Sequence, residues 1–506
     1  MTKAVVIGGG VAGLATTALL LREGYEVHLV EQNEHLGGRA GTFELDGFRW
    51  DTGPSWYLMP DAMSHFFKLC GTSIDDHLDL VPLEPAYRVI DDHGEHLDVT
   101  SDIDAMAELF ESREPGAGAK LRAYIDSATQ VYNLAIDGFL YTNFTNFIPY
   151  LSPGVLRLLP KLLANLSTSL KVKVNTQFRD TKLRQILSYP AVFLSSDPSH
   201  TPALYHLMSH TDLVQGVNYP RGGFTVFINA LISLIDDAVL HLGTPVTAIT
   251  TQGRNVTGVQ VGSEFIDADI VVSCADQHHT ETQLLPASLR EKPETSWKNK
   301  QPGLSTVLVL AGVKGELPEL LHHTLLFSSD WDEDFRKVFD GSTSEFPASE
   351  SIYISKTSAT DADVAPAGHE NLFILVPVPA DVSIGHGSAY GKESELVGRI
   401  AQAAVAQLGR WAGIDDLESR IVVQRTIGPA DFADRYNSWR GGSIGPSHTL
   451  AQSAFFRGSN KSRKVDGLYY AGATTVPGVG VPMCLISAEN VLKRLRGDNS
   501  VDRTLT

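Results

Sequence analysis

An α/β fold is predicted by three observations. The chain opens on a strand, a glycine-rich turn, a helix and a second strand. It closes on a strand, a turn and an amphipathic helix that mirror this opening. Between them, strand-like and helical runs alternate. Ala4 to Ile7 is an apolar run of strand length, Ala12 to Glu23 carries small residues at helical spacing, and Glu26 to Val30 is again strand-like. Further strand-like runs lie at 246–250, 256–261, 266–272, 304–312, 351–355, 371–378 and 467–471, and the last leads into a helix from Met483 to Leu495. The mirrored ends are expected to meet in one discontinuous nucleotide domain.

A chain of 506 residues exceeds one ordinary core and predicts two or three packed units. The nucleotide domain is expected over 1–85, 220–290 and 430–506. An α+β substrate domain, 86–219 and 291–429, is inserted between its pieces, and 138–179 forms a helical, membrane-facing segment. Lys+Arg number 41 against Asp+Glu 59, a net charge of -18, which argues against nucleic acid because phosphate binding needs a basic footprint. Cys70, Cys274 and Cys484 lie far apart with no CxxC pair, so neither a zinc site nor a disulfide framework is indicated. No run reaches the length of a membrane span, and the start MTKAVVIGGGVAGL has glycines where a secretory leader has leucines. A cytoplasmic location is the expectation.

Gly8, Gly10 and Gly13 form G-x-G-x-x-G between the first strand and the first helix, with Glu31 at the end of the second strand. The first glycine allows the tight turn, the second lets backbone approach a pyrophosphate, and the third lets helix and strand pack closely. Glu31 is placed for ribose hydroxyls, and its charge repels a 2′-phosphate. FAD rather than NAD is indicated by Gly37-Gly38-Arg39, which offers amides and a guanidinium to a second phosphate. Asp51-Thr52-Gly53-Pro54 is a tight turn suited to approach a flavin, although such a turn also occurs without a ligand. At the far end, Leu468 to Ala473 runs into Pro477-Gly478-Val479-Gly480-Val481-Pro482 and a helix, whose N-terminus favours negative charge on a reduced flavin.

These pieces, with Leu83-Glu84-Pro85-Ala86-Tyr87-Arg88, Tyr219-Pro220-Arg221-Gly222-Gly223, Asp269 to Asp276, Gly428-Pro429-Ala430-Asp431-Phe432 and the tail Ala471 to Glu489, resemble the bacterial-type phytoene desaturases, carotenoid desaturases of the flavin amine-oxidase superfamily. They occur in the same order and span almost the whole chain. The resemblance implies non-covalent FAD held by Gly8, Gly10, Gly13, Glu31, Gly38, Arg39, Val246, Gly472 and Ala473. It also implies a long-chain isoprenoid hydrocarbon as substrate, with phytoene taken stepwise to lycopene.

Other constellations read as structure. Gly441-Gly442-Ser443-Ile444-Gly445 matches G-x-S-x-G, but no apolar strand precedes it, so a flexible turn is expected rather than a nucleophile elbow. His278-His279 with Glu281 lacks metal-ligand spacing and reads as a polar helix start. His206 and His210, four apart on a helical run, read as core or surface histidines, and Asp361 with Asp363 as loop solvation. No residue pattern identifies a catalytic base.

A polyene offers no carbonyl to acidify a C–H bond, so its dehydrogenation is expected by hydride transfer to flavin and proton loss from the neighbouring carbon. No second nucleotide motif is present, so oxygen or a membrane quinone is the expected electron acceptor. Two other readings stay open: an amine oxidase of this fold, and a non-enzymatic escort that binds prenylated partners. From Gly138 to Arg179 there is no Asp or Glu, while Arg157, Lys161, Lys171, Lys173 and Arg179 supply cations, with aromatics and leucines between them. A basic amphipathic stretch of this kind suits a membrane surface.

Overall fold

The computed structural model describes residues 1–145, 160, 162–340 and 346–505. Lys3–Ile7 is the middle strand of a five-stranded sheet ordered Leu468–Tyr470, Ile270–Ser273, Lys3–Ile7, Glu26–Val30, Val239–His241. Every pairing is parallel. A parallel sheet is covered on both faces, which is why these strands are short apolar runs rather than alternating ones. The opening helix Val11–Arg22 is buried along its first ten residues and packs against the closing helix Val481–Arg496. The two chain ends therefore form one core, and the carboxyl ends of the strands deliver Gly8, Glu31, Cys274 and Ala471 to a common edge.

The run read as one strand over 266–272 is two. Glu264–Asp267 completes a three-stranded antiparallel sheet with Val246–Gln252 and Asn255–Val261, while Ile270–Ser273 enters the parallel sheet. The break falls at Ala268 and Asp269, whose amides donate to Thr257 and Lys3, one in each sheet. Hydrophobicity runs across the joint because both sides are buried, so periodicity alone does not reveal it.

A seven-stranded mixed sheet carries the order Ile421–Ile427, Leu304–Lys314, His369–Pro379, Ile352–Ser355, His323–Phe327, Tyr87–Asp91, His96–Val99. Its one parallel pair is His323–Phe327 with Tyr87–Asp91. Four of these strands (87–91, 96–99, 323–327 and 421–427) were not expected from sequence. Charged and histidine residues such as Arg88, Asp98, His323 and Arg425 interrupt their apolar pattern, and each charge is met only by the fold: Arg88, for example, forks onto Asp98 at 2.7 and 2.8 Å.

Of the basic stretch 138–179, residues 146–159 and 161, including Arg157 and Lys161, lie outside the described residues. Within the described part, Tyr141, Leu170 and Val174 are buried and Leu163 is exposed. Lys171 pairs with Asp332, and the Lys173 ammonium donates to Asn165 at 3.0 Å. Among the described residues, no helix is long and apolar enough to cross a membrane.

Candidate active site

A cavity of about 500 Å³ runs from the carboxyl edge of the parallel sheet to the face of the seven-stranded sheet. Eight of the nine residues assigned to the cofactor line it: Gly8, Gly10, Glu31, Gly38, Arg39, Val246, Gly472 and Ala473. Gly13 stands one layer behind, where a Cβ would lie 1.8 Å from the Gly8 carbonyl oxygen. Its place is helix–strand contact, as the motif's third glycine requires. Gly10 is different. A Cβ there would meet no protein atom closer than 3.8 Å, so the space in front of it belongs to the cavity.

Two helices begin at this cavity. Val11–Arg22 starts after Gly10 and Val481–Arg496 after Gly480, and neither N-terminus has a side-chain cap. Uncapped first-turn N–H groups and glycine-lined approaches together fit a pyrophosphate-bearing dinucleotide. Glu31 is buried and held in place: it accepts from the Gly9 amide at 2.6 Å and from the Asn33 amide and side chain at 2.8 Å. Arg39 donates to the Ile444 carbonyl at 2.7 Å, and a Cβ on Gly53 would lie 1.9 Å from the Arg39 carbonyl oxygen. The turn 51–54 is thereby packed under the Gly37-Gly38-Arg39 loop, and Thr52, Gly53 and Pro54 line the cavity.

Several supports were invisible in sequence. Arg457 is buried and donates to four carbonyls, those of Gln452, Pro446, Ala473 and Thr475, at 2.6 to 3.3 Å, which ties the 473–475 turn to the preceding loop. Burial pulls its guanidinium down to about 10. His448 accepts from the Val479 amide through Nε2 at 3.2 Å, so its proton sits on Nδ1 and is donated to Tyr205 at 2.8 Å. Burial holds His448 well below the usual histidine range, and this neutral ring braces the Pro477–Gly480 turn. Cys274 and Cys484, remote in sequence, both reach the cavity. Desolvation pushes their thiols up to about 12 and about 11, so they are neutral walls rather than nucleophiles.

Beyond Gly53 the lining changes character. Trp56, Leu58, Phe193, Leu308, Tyr353 and Phe373 are typical of it. The charged residues of the described lining, Glu31, Arg39, Asp276 and Arg435, belong to the strand-edge loops and to segments bonded to them: the Asn33 side chain donates to the Arg435 carbonyl at 3.0 Å, and Asp276 accepts from the Trp439 amide at 3.2 Å. The apolar arm thus offers aromatic and aliphatic surface.

The remaining motifs find structural places. Gly441 to Gly445 is a turn, with Ser443 and Ile444 bordering the cavity and Gly441 at φ +72°. His206 is fully buried between Ser127 and the Ala203 carbonyl, and His210 bonds Thr129 at 2.8 Å, so both are core histidines. His278 bonds Glu294 at 3.0 Å. Asp361 corrects the reading of loop solvation. It is buried and accepts from Tyr219, the Gly222 amide and the Asp363 amide at 2.8 to 3.1 Å. These three donors, two of them from another stretch of chain, hold the acid below the usual carboxylate range despite its burial.

Residues 11–494 match the family of flavin containing amine oxidoreductases. The chain is 38% identical over 495 residues to the carotenoid 3,4-desaturase of Haloarcula japonica, covering 97% of this chain and 98% of that protein. It is 34% identical over 501 residues to the zeta-carotene-forming phytoene desaturase of Myxococcus xanthus, covering 97% and 93%. Among solved structures, an oxidoreductase from Methanosarcina mazei superposes with a TM-score of 0.63 at 16% identity over 97% of this chain and 100% of that one. Putrescine oxidase bound to putrescine gives 0.61 at 16% over 98% and 99%. The structural likenesses establish the fold and the sequence likenesses the branch within it: the chain is an FAD-dependent oxidoreductase that belongs to the flavin containing amine oxidoreductases and, among them, to the carotenoid desaturases.

Proposed function

We propose that the protein desaturates phytoene stepwise to lycopene, removing a hydride and a proton from adjacent carbons of the polyene. The observation that carries this reading is the two-ended cavity: a glycine-walled, uncapped dinucleotide end continuous with an aromatic arm that, among the described residues, is lined by no carboxylate or ammonium. Among the described residues of that arm, no acid is present to receive an amine substrate. A hydrocarbon needs none. The full-length similarity to a carotenoid 3,4-desaturase and a phytoene desaturase supports the same substrate class.

In this reading Gly8, Gly10, Gly38, Gly472 and Ala473 bring backbone to the FAD phosphates and ring system, Glu31 takes the ribose, Arg39 the second phosphate, and Val246 packs beside the nucleotide. Bound FAD supplies the hydride acceptor. The chain's residues do the rest: Trp56, Tyr353 and Phe373 exclude water that would trap an allylic cation and present π faces to it. Segments 1–85, 220–290 and 430–506 serve the cofactor, and 86–219 with 291–429 the substrate. The stretch 138–179 contacts the cytoplasmic leaflet from which the substrate is drawn, and electrons leave to oxygen or a membrane quinone. The test is co-expression with a phytoene-producing pathway and chromatography of the pigments. Lycopene is the expected main product; a partly desaturated product corrects the step count, and unchanged phytoene overturns the reading.

A further inference from the structure

Trp56 stands between the cavity and a group of rings that never reach it. On one side it lines the apolar arm with Phe193 and Tyr353. On the other it stacks on His323, with centroids 4.6 Å apart and planes 14° from parallel, and meets Tyr87 at 5.2 Å and Tyr189 at 6.1 Å. His323, Tyr87 and Tyr189 are all buried, and none of the three borders the cavity.

The backing is rigid. The Tyr353 hydroxyl bonds His323 Nδ1 at 2.8 Å, and burial keeps this imidazole neutral, well below the usual histidine range. Tyr87 and Tyr189 both donate to Asp212, at 3.0 and 2.8 Å. A wall whose second layer is hydrogen-bonded does not yield to an apolar chain by rotamer shifts.

We propose that Trp56 is the blind end of the apolar arm and a specificity-determining residue. A stiff polyene entering end-first stops against the indole, and the distance from Trp56 to the dinucleotide end selects which carbon pair is dehydrogenated. This inference rests on the desaturase reading above. Shortening the wall lets the chain insert further, so bonds near the chain terminus slide past the reacting position and bonds nearer the middle take their place.

The test uses the FAD-loaded full chain with liposome-borne polyenes. Two substrates are compared, one whose remaining saturated bonds are outermost and one whose saturated bonds are nearer the centre. Trp56→Ala is expected to lower the outer-to-inner rate ratio by roughly tenfold, the scale on which a pocket discriminates one missing methylene. Trp56→Phe keeps a ring wall and should stay near the parent ratio. Trp56→Leu serves in place of Trp56→Ala if the latter does not retain flavin absorbance. An unchanged ratio, whatever the overall rate, overturns the inference, because a general loss of packing slows both substrates alike. A parent protein that leaves every polyene untouched overturns the desaturase reading instead.

Discussion

Gly13 sits so close to Gly8 that a Cβ on the former would lie 1.8 Å from the carbonyl oxygen of the latter, whereas a Cβ on Gly10, three residues earlier, would meet nothing within 3.7 Å except open cavity. Two glycines of one motif thus answer to different constraints. Gly13→Ala should destabilise the folded chain by about 3 kcal/mol through backbone displacement, read as a lower denaturation midpoint. Gly10→Val should leave the apoprotein's midpoint near the parent's and remove the flavin absorbance. A Gly10→Val protein with a full flavin spectrum would refute the assignment of this end of the cavity.

Asp212 gives the fold a pH dependence of definite sign. Burial between Tyr87 and Tyr189 pushes its carboxyl up to about 7, while in the unfolded chain it returns to near 3.8. The folded state therefore keeps a proton that the unfolded state releases. The contribution is complete below about pH 4 and is lost as pH rises through about 7. Asp212→Asn, which cannot titrate, should flatten the fall in urea midpoint across that window. An identical slope in parent and variant would show that Asp212 does not titrate there.

Lys493 is fully buried and its ammonium donates to three backbone carbonyls, Tyr141 at 2.7 Å and Ser500 and Asp502 at 2.8 Å. It fastens the C-terminal residues and the chain after helix Ala117–Gly138 to the closing helix. Lys493→Met strands these acceptors and should cost about 3 kcal/mol. Limited proteolysis should then trim residues beyond Gly497 faster than in the parent; equal trimming rates would show that the lysine does not hold them.

The basic stretch makes a prediction at the membrane. Replacing Arg157, Lys161, Lys171 and Lys173 by Glu should release the protein from anionic liposomes in flotation, since each cation near such a surface contributes about 1 kcal/mol. Flavin content should be unchanged and turnover of liposome-borne phytoene reduced. A quadruple variant that floats like the parent at low salt moves the membrane contact elsewhere.

The glycine-walled end of the cavity was legible in sequence because its geometry is local. Gly8, Gly10, Gly13 and Glu31 lie within one strand–helix–strand unit, and their spacing alone sets the turn, the approach and the packing. Gly472 and Ala473 were reached through the resemblance of the closing segment, and the structure brings both to the same cavity. The mirrored ends also met as expected, helix against helix, each buried along most of its length.

What the sequence did not disclose depends on partners far along the chain. Asp361 reads as a solvated loop acid until Tyr219 and Gly222 arrive from 142 and 139 residues away. Arg457 and His448 carry no motif, since their roles consist of the carbonyls and amides that folding brings to them. Trp56 is one aromatic among many until His323, Tyr87 and Tyr189 close behind it. Local spacing determines backbone conformation, and so the sequence by itself determined the nucleotide turn, the α/β class and the cofactor. The depth of the apolar arm and the protonation of the groups around it were decided only by tertiary structure, because burial and long-range hydrogen bonds exist only after distant segments have packed.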